Sequence, residues 1–291
     1  MAGDFPLRRL TLKDAGAASA VGNSVDWDHS PKVWQHFIRW SEQGAYGITD
    51  WRSGELLATG LSIRYAQQRA WIAMVITHRR YQGLGFARRI METMIDKLQK
   101  REIPEIMLDA SSFGRPLYEK LGFRALYDVP YWQTVLPEQR LPDPKVKTIR
   151  RATLDDLGKI TAFDHVTFGA PREHVLKTFI EEYRVWVDMR DGEVHGFLGA
   201  MIPKRRAASI GGWQHHTPDG AAALLATALR DLRGYAVSVS PPEASLNSHV
   251  ESILKTYHFA STGGCTRMIL GDVEPLEDRS RLYSIMAYGL G

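Results

Sequence analysis

The sequence predicts an α/β protein with a mixed sheet, laid out as two related halves in tandem. Three observations predict it: an opening segment that recurs in the second half, strand and helix patterns that follow each copy in the same order, and a proline-rich stretch between them. LRRLTLKDAG (Leu7–Gly16) returns as IRRATLDDLG (Ile149–Gly158), with Arg-Arg, Thr-Leu, Asp and Gly in register. The turn Gly54-Glu55-Leu56 is echoed by Gly192-Glu193-Val194, and LYEKLGF (Leu117–Phe123) loosely by ILKTYHF (Ile253–Phe259). Chance could supply one such match; three in the same order indicate duplication. LPEQRLPDPK (Leu136–Lys145) carries three prolines and no periodicity, which reads as a linker. A boundary near Leu141 follows, with expected domains at 1–140 and 147–291.

Each copy opens on a short strand, then Thr or Asp capping material, then a helical pattern. The first copy continues with helix around Pro31–Gln43, strands Gly47–Asp50, Leu56–Tyr65 and Ala70–Ile76, a helix Leu84–Lys100, strand Glu105–Asp109, helix Arg115–Leu121 and a last strand Tyr131–Leu136. In the second copy the expected strands are Val185–Asp188, Val194–Ile202 and Ala207–Gly211, then helix Gly220–Leu232, strand Tyr235–Ser240, helix Leu246–Tyr257 and strand Cys265–Leu270. This order gives a mostly antiparallel first part followed by a βαβ unit.

Composition narrows the function. The chain has 291 residues and one cysteine, Cys265, so it holds neither an internal disulfide nor a cysteine-built zinc cluster. No apolar run is long enough for a membrane span, and MAGDFPLRRL has no apolar core of a signal peptide, so a cytoplasmic setting is expected. A net charge of +4 suits an anionic partner. The basic residues cluster only at Arg79-Arg80/Arg88-Arg89 and Lys204-Arg205-Arg206, and no RNA- or DNA-binding motif is present. A phosphorylated small molecule therefore fits better than nucleic acid. His215-His216 lack a ligand pattern around them, and the expectation is solvated side chains and no metal.

The chemistry-bearing segment is WIAMVITHRRYQGLGFARRIMETMIDKL (Trp71–Leu98). An apolar strand ends at Ile76, a glycine turn Arg80-Tyr81-Gln82-Gly83-Leu84-Gly85 follows, and then a helix with Ile90, Met94 and Leu98 on one face. Free N–H groups and the dipole at a helix start attract anions, and Gly83 and Gly85 let the backbone approach one closely, with Arg80 and Arg88 adding charge. The turn lacks the Gly-Lys-Ser/Thr of a Walker A loop, and it lacks the third glycine of a dinucleotide fingerprint.

Arg-x-x-Gly-x-Gly after an apolar strand resembles the coenzyme A–binding motif of the GCN5-related N-acetyltransferases (GNAT). LYEKLGF resembles that family's tyrosine-bearing helix, and the tail LYSIMAYGLG resembles a tandem, two-domain subgroup. The resemblance covers residues 5–136 strongly and 147–271 more weakly. It implies two tandem GNAT-like acyltransferase domains, the second degenerate, and transfer of an acetyl group from acetyl-CoA to an amine. Ala73, Met74 and Val75 would lie along the pantetheine arm in a splay between strands, with a free N–H near Val75 toward the thioester carbonyl. Arg80, Tyr81, Gln82, Gly83, Leu84 and Gly85 would hold the pyrophosphate, with Phe86 and Ala87 continuing the amide nest. Ser111, or its neighbour Ser112, would contact the cofactor, and Tyr118 would protonate the departing thiolate.

For the base, Asp109 is the first candidate, acting through water; His78 is a second, and solvent alone can suffice. Trp27, Trp34, Trp40, Tyr65 and Trp71 are candidates for the acceptor pocket, with core packing the expectation for at least half. In the second copy an ungapped comparison puts Gln214, Thr217 and Asp219 opposite Arg80, Gly83 and Gly85, and Leu254 opposite Tyr118, so that copy is expected to have lost the chemistry. The expected acceptor is a small-molecule amine or amino acid, with monomer and homodimer both open. A coenzyme A–binding sensor that turns nothing over and an aminoacyl-tRNA-dependent acyltransferase are the alternatives.

Overall fold

The computed structural model describes residues 5–135, 147–204, 206–243 and 248–291. The first copy runs β1 (Leu7–Arg9), α1 (Ala15–Asn23), α2 (Pro31–Trp40), β2 (Ala45–Thr49), β3 (Leu56–Tyr65), β4 (Arg69–Thr77), α3 (Phe86–Gln99), β5 (Glu105–Ala110), α4 (Arg115–Lys120) and β6 (Phe123–Val135). The second runs β7 (Ile149–Arg151), α5 (Leu157–Phe168), α6 (Glu173–Glu182), β8 (Arg184–Arg190), β9 (Glu193–Lys204), β10 (Ala207–His215), α7 (Pro218–Asp231), β11 (Ala236–Val239), α8 (Ser248–Thr256) and β12 (Ala260–Leu270). A short strand, β13 (Leu282–Ser284), closes the order. The expected linker 136–145, the start of the expected helix at Leu246 and Arg205 of the basic cluster lie outside the described residues.

The chain forms two compact units, neither continuous in sequence. The first gathers Met1–Leu108, Gly114–Arg124 and Ile269–Val273; the second gathers Asp109–Phe113, Ala125–Met268 and Glu274–Gly291. In the first unit the strands run β1-β2-β3-β4-β5, antiparallel except for β4 and β5. The return segment is fastened here by Gly271 N–H on Gly122 O (3.2 Å) and by Arg124 Nη2 on Val273 O (2.6 Å). In the second unit the order is β12-β6-β11-β10-β9-β8-β7, with β13 beside β10. Here β10 and β11 are parallel, and β6 pairs antiparallel with β11 from Ala236↔Val135 to Val239↔Trp132. The last strand of the first copy thus completes the ladder of the second.

Local signals explain the helices. Ser30 caps α2 through Val33 N–H, with Pro31 in the first turn where no N–H is needed. The apolar face of α3 buries Phe86, Ile90, Met91, Met94 and Leu98. It comes down on β3 at Gly60, where an added Cβ would stand 2.6 Å from Ile90 Cγ2. The helix starts at Phe86 rather than Leu84, because Gly83 and Gly85 both adopt left-handed backbone (φ 80° and 79°). β6 begins eight residues before the expected Tyr131, since the adjacent Ala125 and Leu126 and the proline at 130 break the alternation that marks a strand.

The duplication is visible atom by atom. In the first copy Arg8 forks Asp14 (2.7 and 3.1 Å) while Asp14 accepts Thr11 N–H (2.7 Å). In the second Arg150 forks Asp156 (both 2.7 Å) and Asp156 accepts Thr153 N–H (2.9 Å). Gly54 (φ 73°) and Gly192 (φ 81°) turn the matching hairpins. Gly122 (φ 92°) is matched by His258 (φ 59°) after the helix of LYEKLGF and its echo.

The Arg150 hydrogen bonds, helped by Thr153 N–H, hold the Asp156 carboxyl at about 2, below the ordinary aspartate value of 3.8. A depressed carboxylate stabilises the fold above its unfolded value and loses that contribution as pH falls through its folded value. Asp156→Asn should therefore cost about 1–2 kcal/mol at neutral pH in denaturant unfolding. The gap from wild type should close as pH falls from about 4 to 2. Equal stabilities at pH 7 would contradict this.

Candidate active site

β4 is the strand on which the first unit's site is built. Its ladder to β3 pairs Ala73 with Leu61 and Ile76 with Thr59, so Met74 and Val75 face the single residue Gly60. This is a bulge. Met74 takes left-handed backbone (φ 53°), and its carbonyl accepts the buried Thr59 hydroxyl at 2.9 Å. On the other side the parallel ladder to β5 covers only Arg69, Ala70 and Trp71. Past Trp71 the two strands carry no further register pairs, as a splay there requires. Its closed end is fastened by a buried ion pair, Arg69–Glu105 at 2.5 Å. Thr59 and Gly60 were not singled out from sequence. A glycine inside an apolar strand was the available signal, since it marks a bulge or a close approach.

The turn after β4 holds the expected cradle residues in one stretch. His78 opens it, its Nδ1 accepting Arg80 N–H at 3.2 Å and its ring edge-on to Tyr81 at 5.6 Å. Gln82, Gly83, Leu84 and Gly85 are exposed, and a Cβ at Gly83 or Gly85 would meet nothing within 4 Å. The open side of the turn thus has room for a bulky group. α3 starts on Gly85, which has no side chain to cap the first-turn N–H groups, and those groups have no intrahelical acceptor. Donors with a positive dipole end beside open space suit a diphosphate.

The arginines divide their tasks. Arg79 ties the turn to the end of α1, bonding Ser24 O through Nε (2.7 Å) and pairing with Asp26 (2.6 Å). Arg88 pairs with Glu92 along the helix (3.0 Å), so its charge is shared. Arg80 is exposed and makes no ion pair among the described residues.

Tyr118 lies on α4, half-buried, edge-on to Phe123 at 6.2 Å. Its ring lies over Gly114: a Cβ there would stand 2.9 Å from Cε2 and 3.2 Å from the hydroxyl. Glu119, on the same helix, pairs with Arg115 at the surface. Of the five acceptor-pocket candidates, Trp34, Trp40, Tyr65 and Trp71 are core and Trp27 is exposed.

Asp109 and Ser111 belong to the second unit. The Asp109 side chain is fully buried, and both of its oxygens face Arg267 (3.0 Å each). Burial pushes its carboxyl up against the pull of that guanidinium. Arg267 also reaches Tyr127 Oη (3.1 Å), which donates to Glu277 (2.7 Å). Ser111 is half-buried in the turn that follows β5.

The second copy repeats the bulge but not the turn. Gly212 (φ 62°) and Trp213 face the single residue Leu198, as Met74 and Val75 face Gly60. Between strand and helix, however, stand only His216 and Thr217, where the first copy has residues 78–85. The ungapped comparison misplaced its residues for that reason: Gln214 is on β10, Thr217 is the helix cap and Asp219 is inside α7. Leu254 does fall in the core of its unit. His215 corrects another expectation, for it is buried. Its Nδ1 accepts Thr217 N–H (2.9 Å), which leaves Nε2 to donate to Asp188 (3.1 Å), and burial pushes the ring's pKa down. Among the described residues no group of three or more His, Cys, Asp or Glu gathers as a metal site.

Family models described as the acetyltransferase (GNAT) domain match residues 16–133 and 160–284. The chain is similar to an uncharacterized N-acetyltransferase, YitH, from Bacillus subtilis (32% identity over 137 residues, 45% of this chain and 47% of that protein). It also resembles N-alpha-acetyltransferase 30 of Saccharomyces cerevisiae (36% over 128 residues, 39% of this chain and 73% of that one). The match therefore spans about half the length of YitH. Two solved structures share the fold. One, from Pyrococcus horikoshii and provisionally assigned as an acetyltransferase, has a TM-score of 0.82 at 20% identity, covering 99% of this chain and 96% of that one. The other, a GCN5-related N-acetyltransferase from Sphaerobacter thermophilus, has a TM-score of 0.63 at 16% identity, covering 97% and 98%. With both halves matched by the same domain description and the tandem order shared, the chain belongs to the GCN5-related N-acetyltransferase family.

Proposed function

We propose that the chain is an acetyl-CoA-dependent N-acetyltransferase whose working site is in the first copy, residues 1–140, with residues 147–291 as a degenerate partner domain. The observation that carries the reading is the run from the β4 bulge through the left-handed glycines to the uncapped start of α3. It offers strand-edge amides and a helix N-terminus in sequence, which suits a ligand with an amide-bearing arm and a diphosphate. Acetyl-CoA, when bound, supplies an electrophilic thioester carbonyl and a thiolate leaving group.

In this reading the backbone of Ala73, Met74 and Val75 pairs with the arm, and a bulge N–H near Val75 donates toward developing oxyanion charge. The amides from Arg80 to Ala87 hold the diphosphate, and Arg80 adds charge. Tyr118 gives its phenolic proton to the departing sulfur, whose conjugate acid is near ~8.5. Asp109 faces Arg267 on both oxygens, which favours a positioning role for it at the end of β5. Deprotonation of the amine is then left to solvent. Ser111 remains a cofactor contact in the same reading, and the acceptor is a small amine or amino acid.

Calorimetry with coenzyme A, followed by thiol release against an amine library, tests the proposal. Tight binding without turnover on any amine would make the chain a sensor, and no binding at all would remove the site. Gly83→Asp should abolish binding by placing a carboxylate in the cradle.

Tyr118→Phe should lower turnover by about tenfold or more while leaving cofactor affinity nearly unchanged. Gly114→Ala makes a second, gentler probe, since residue 114 has right-handed backbone that alanine accepts. Its methyl must displace the Tyr118 ring, so kcat should fall with melting temperature held. Full activity in both variants would take the acid role away from Tyr118.

A further inference from the structure

In the second unit the strand break at the bulge is filled by the protein's own chain. β10 and β11 pair in parallel from Ala207↔Ala236 to Ile210↔Val239 and then stop. Beyond that point β13 lies antiparallel on β10, with Trp213 opposite Ser284 and Gln214 opposite Leu282. The bulge residue Gly212 donates its N–H to Ile285 O at 3.0 Å, and Ile285 N–H crosses to Ser240 O, just past β11, also at 3.0 Å. Ser284 Oγ accepts Ser240 N–H at 3.2 Å. The segment bridges the two diverging strands as an added strand would, and Ser284 and Ile285 are almost wholly buried.

The residues after β13 are clamped as well. Met286 passes so close to Gly211 that a Cβ there would stand 1.9 Å from its carbonyl oxygen. The segment then turns back, Met286 N–H meeting Gly291 O at 2.9 Å. Arg172, buried and paired with Asp164 (2.7 and 2.8 Å), holds the carbonyls of Leu290 (3.2 Å) and Gly291 (2.8 Å). Asp164 is in turn fixed by Gln214 Nε2 at 2.6 Å.

We propose that the slot of the second copy is a peptide-binding site and that its occupant is this chain's own residues 282–291. The tethered segment takes the position that the donor's amide-bearing arm takes in the first copy, a correspondence that rests on the function proposed above. The bulge N–H at Gly212 is spent on a peptide carbonyl, and the second copy is closed to an acyl donor by a built-in ligand. One coenzyme A per chain is the consequence.

A protease site inserted at the exposed loop between Glu274 and Pro275 makes the tether removable. After cleavage the fragment 275–291 should stay bound through native chromatography and leave in mild denaturant. A synthetic peptide of residues 275–291 should then rebind at one per chain, and the same peptide carrying Ile285→Pro, which lacks the crossing N–H, should not. A stripped chain with native circular dichroism that ignores the wild-type peptide overturns the proposal. Should the stripped chain unfold, hydrogen exchange on the intact chain decides. Arg172→Gln should speed exchange at Gly212 and Ile285 by about tenfold or more while β3 amides hold, and unchanged rates there overturn it. Two coenzyme A bound per intact chain would also overturn it. A titration with no coenzyme A bound sinks the proposed function instead, and the peptide arm then judges the tail alone.

Discussion

A parallel ladder that stops short leaves backbone N–H and C=O groups facing inward, and buried groups of that kind must find partners. Both halves of this chain are organised around such a stop. In each, a bulge puts two residues opposite one beside the place where the parallel ladder stops, and in the second copy the Gly212 N–H reaches Ile285 O there. The conformation is left-handed at Met74 and at Gly212. Glycine adopts it freely, whereas for an L-residue it costs on the order of 1–2 kcal/mol. The first copy tolerates that strain, and the Thr59 hydroxyl on Met74 O is the contact that holds it. Strain kept in one copy and relieved in the other is the pattern expected if the first alone retains a site.

Buried ion pairs mark the ends of these openings. Arg69–Glu105 sits at the register where β4 and β5 are still joined, Asp109–Arg267 at the far end of β5, and Arg172–Asp164 under the tail. Such pairs add little net stability, because taking two charges out of water offsets most of their attraction. Their value is geometric: a bidentate fork fixes where a strand end lies, and breaking one partner leaves a buried charge. Asp109 illustrates the difference between a carboxylate in the right place along the chain and one with the right freedom. A general base needs an oxygen turned toward its proton donor, and both of these are turned toward a guanidinium.

The tandem plan and the glycine turn were legible in the sequence because both are local. The capping aspartates, the hairpin glycines and the Gly83–Gly85 spacing act through neighbours a few residues away, and each has the geometry its spacing implied. The features that stayed hidden depend on distant partners. Nothing near Asp109 announces Arg267, nothing near His215 announces Asp188, and the alternation in β6 is too weak to show that residues 123–130 belong to a strand at all. The tail LYSIMAYGLG read only as a family mark. Its role as a strand follows from Gly212 and Ser240, which no local pattern connects to it.

The two helix starts differ in what they offer an anion. A cradle needs a turn long enough to bend its amides around the ligand and a helix end whose N–H groups are unclaimed. The first copy has eight residues between β4 and α3 and a glycine at the cap; the second has two between β10 and α7 and a threonine. Thr217 uses its hydroxyl on Gly220 N–H (3.3 Å) and its own N–H on His215 (2.9 Å), so the helix end is satisfied from within. His215 packs where any side chain on Gly220 would have to go. Restoring glycines to this turn would therefore recreate neither the length nor the glycine cap of the first copy, so the difference between the two turns is carried by the backbone rather than by any single side chain.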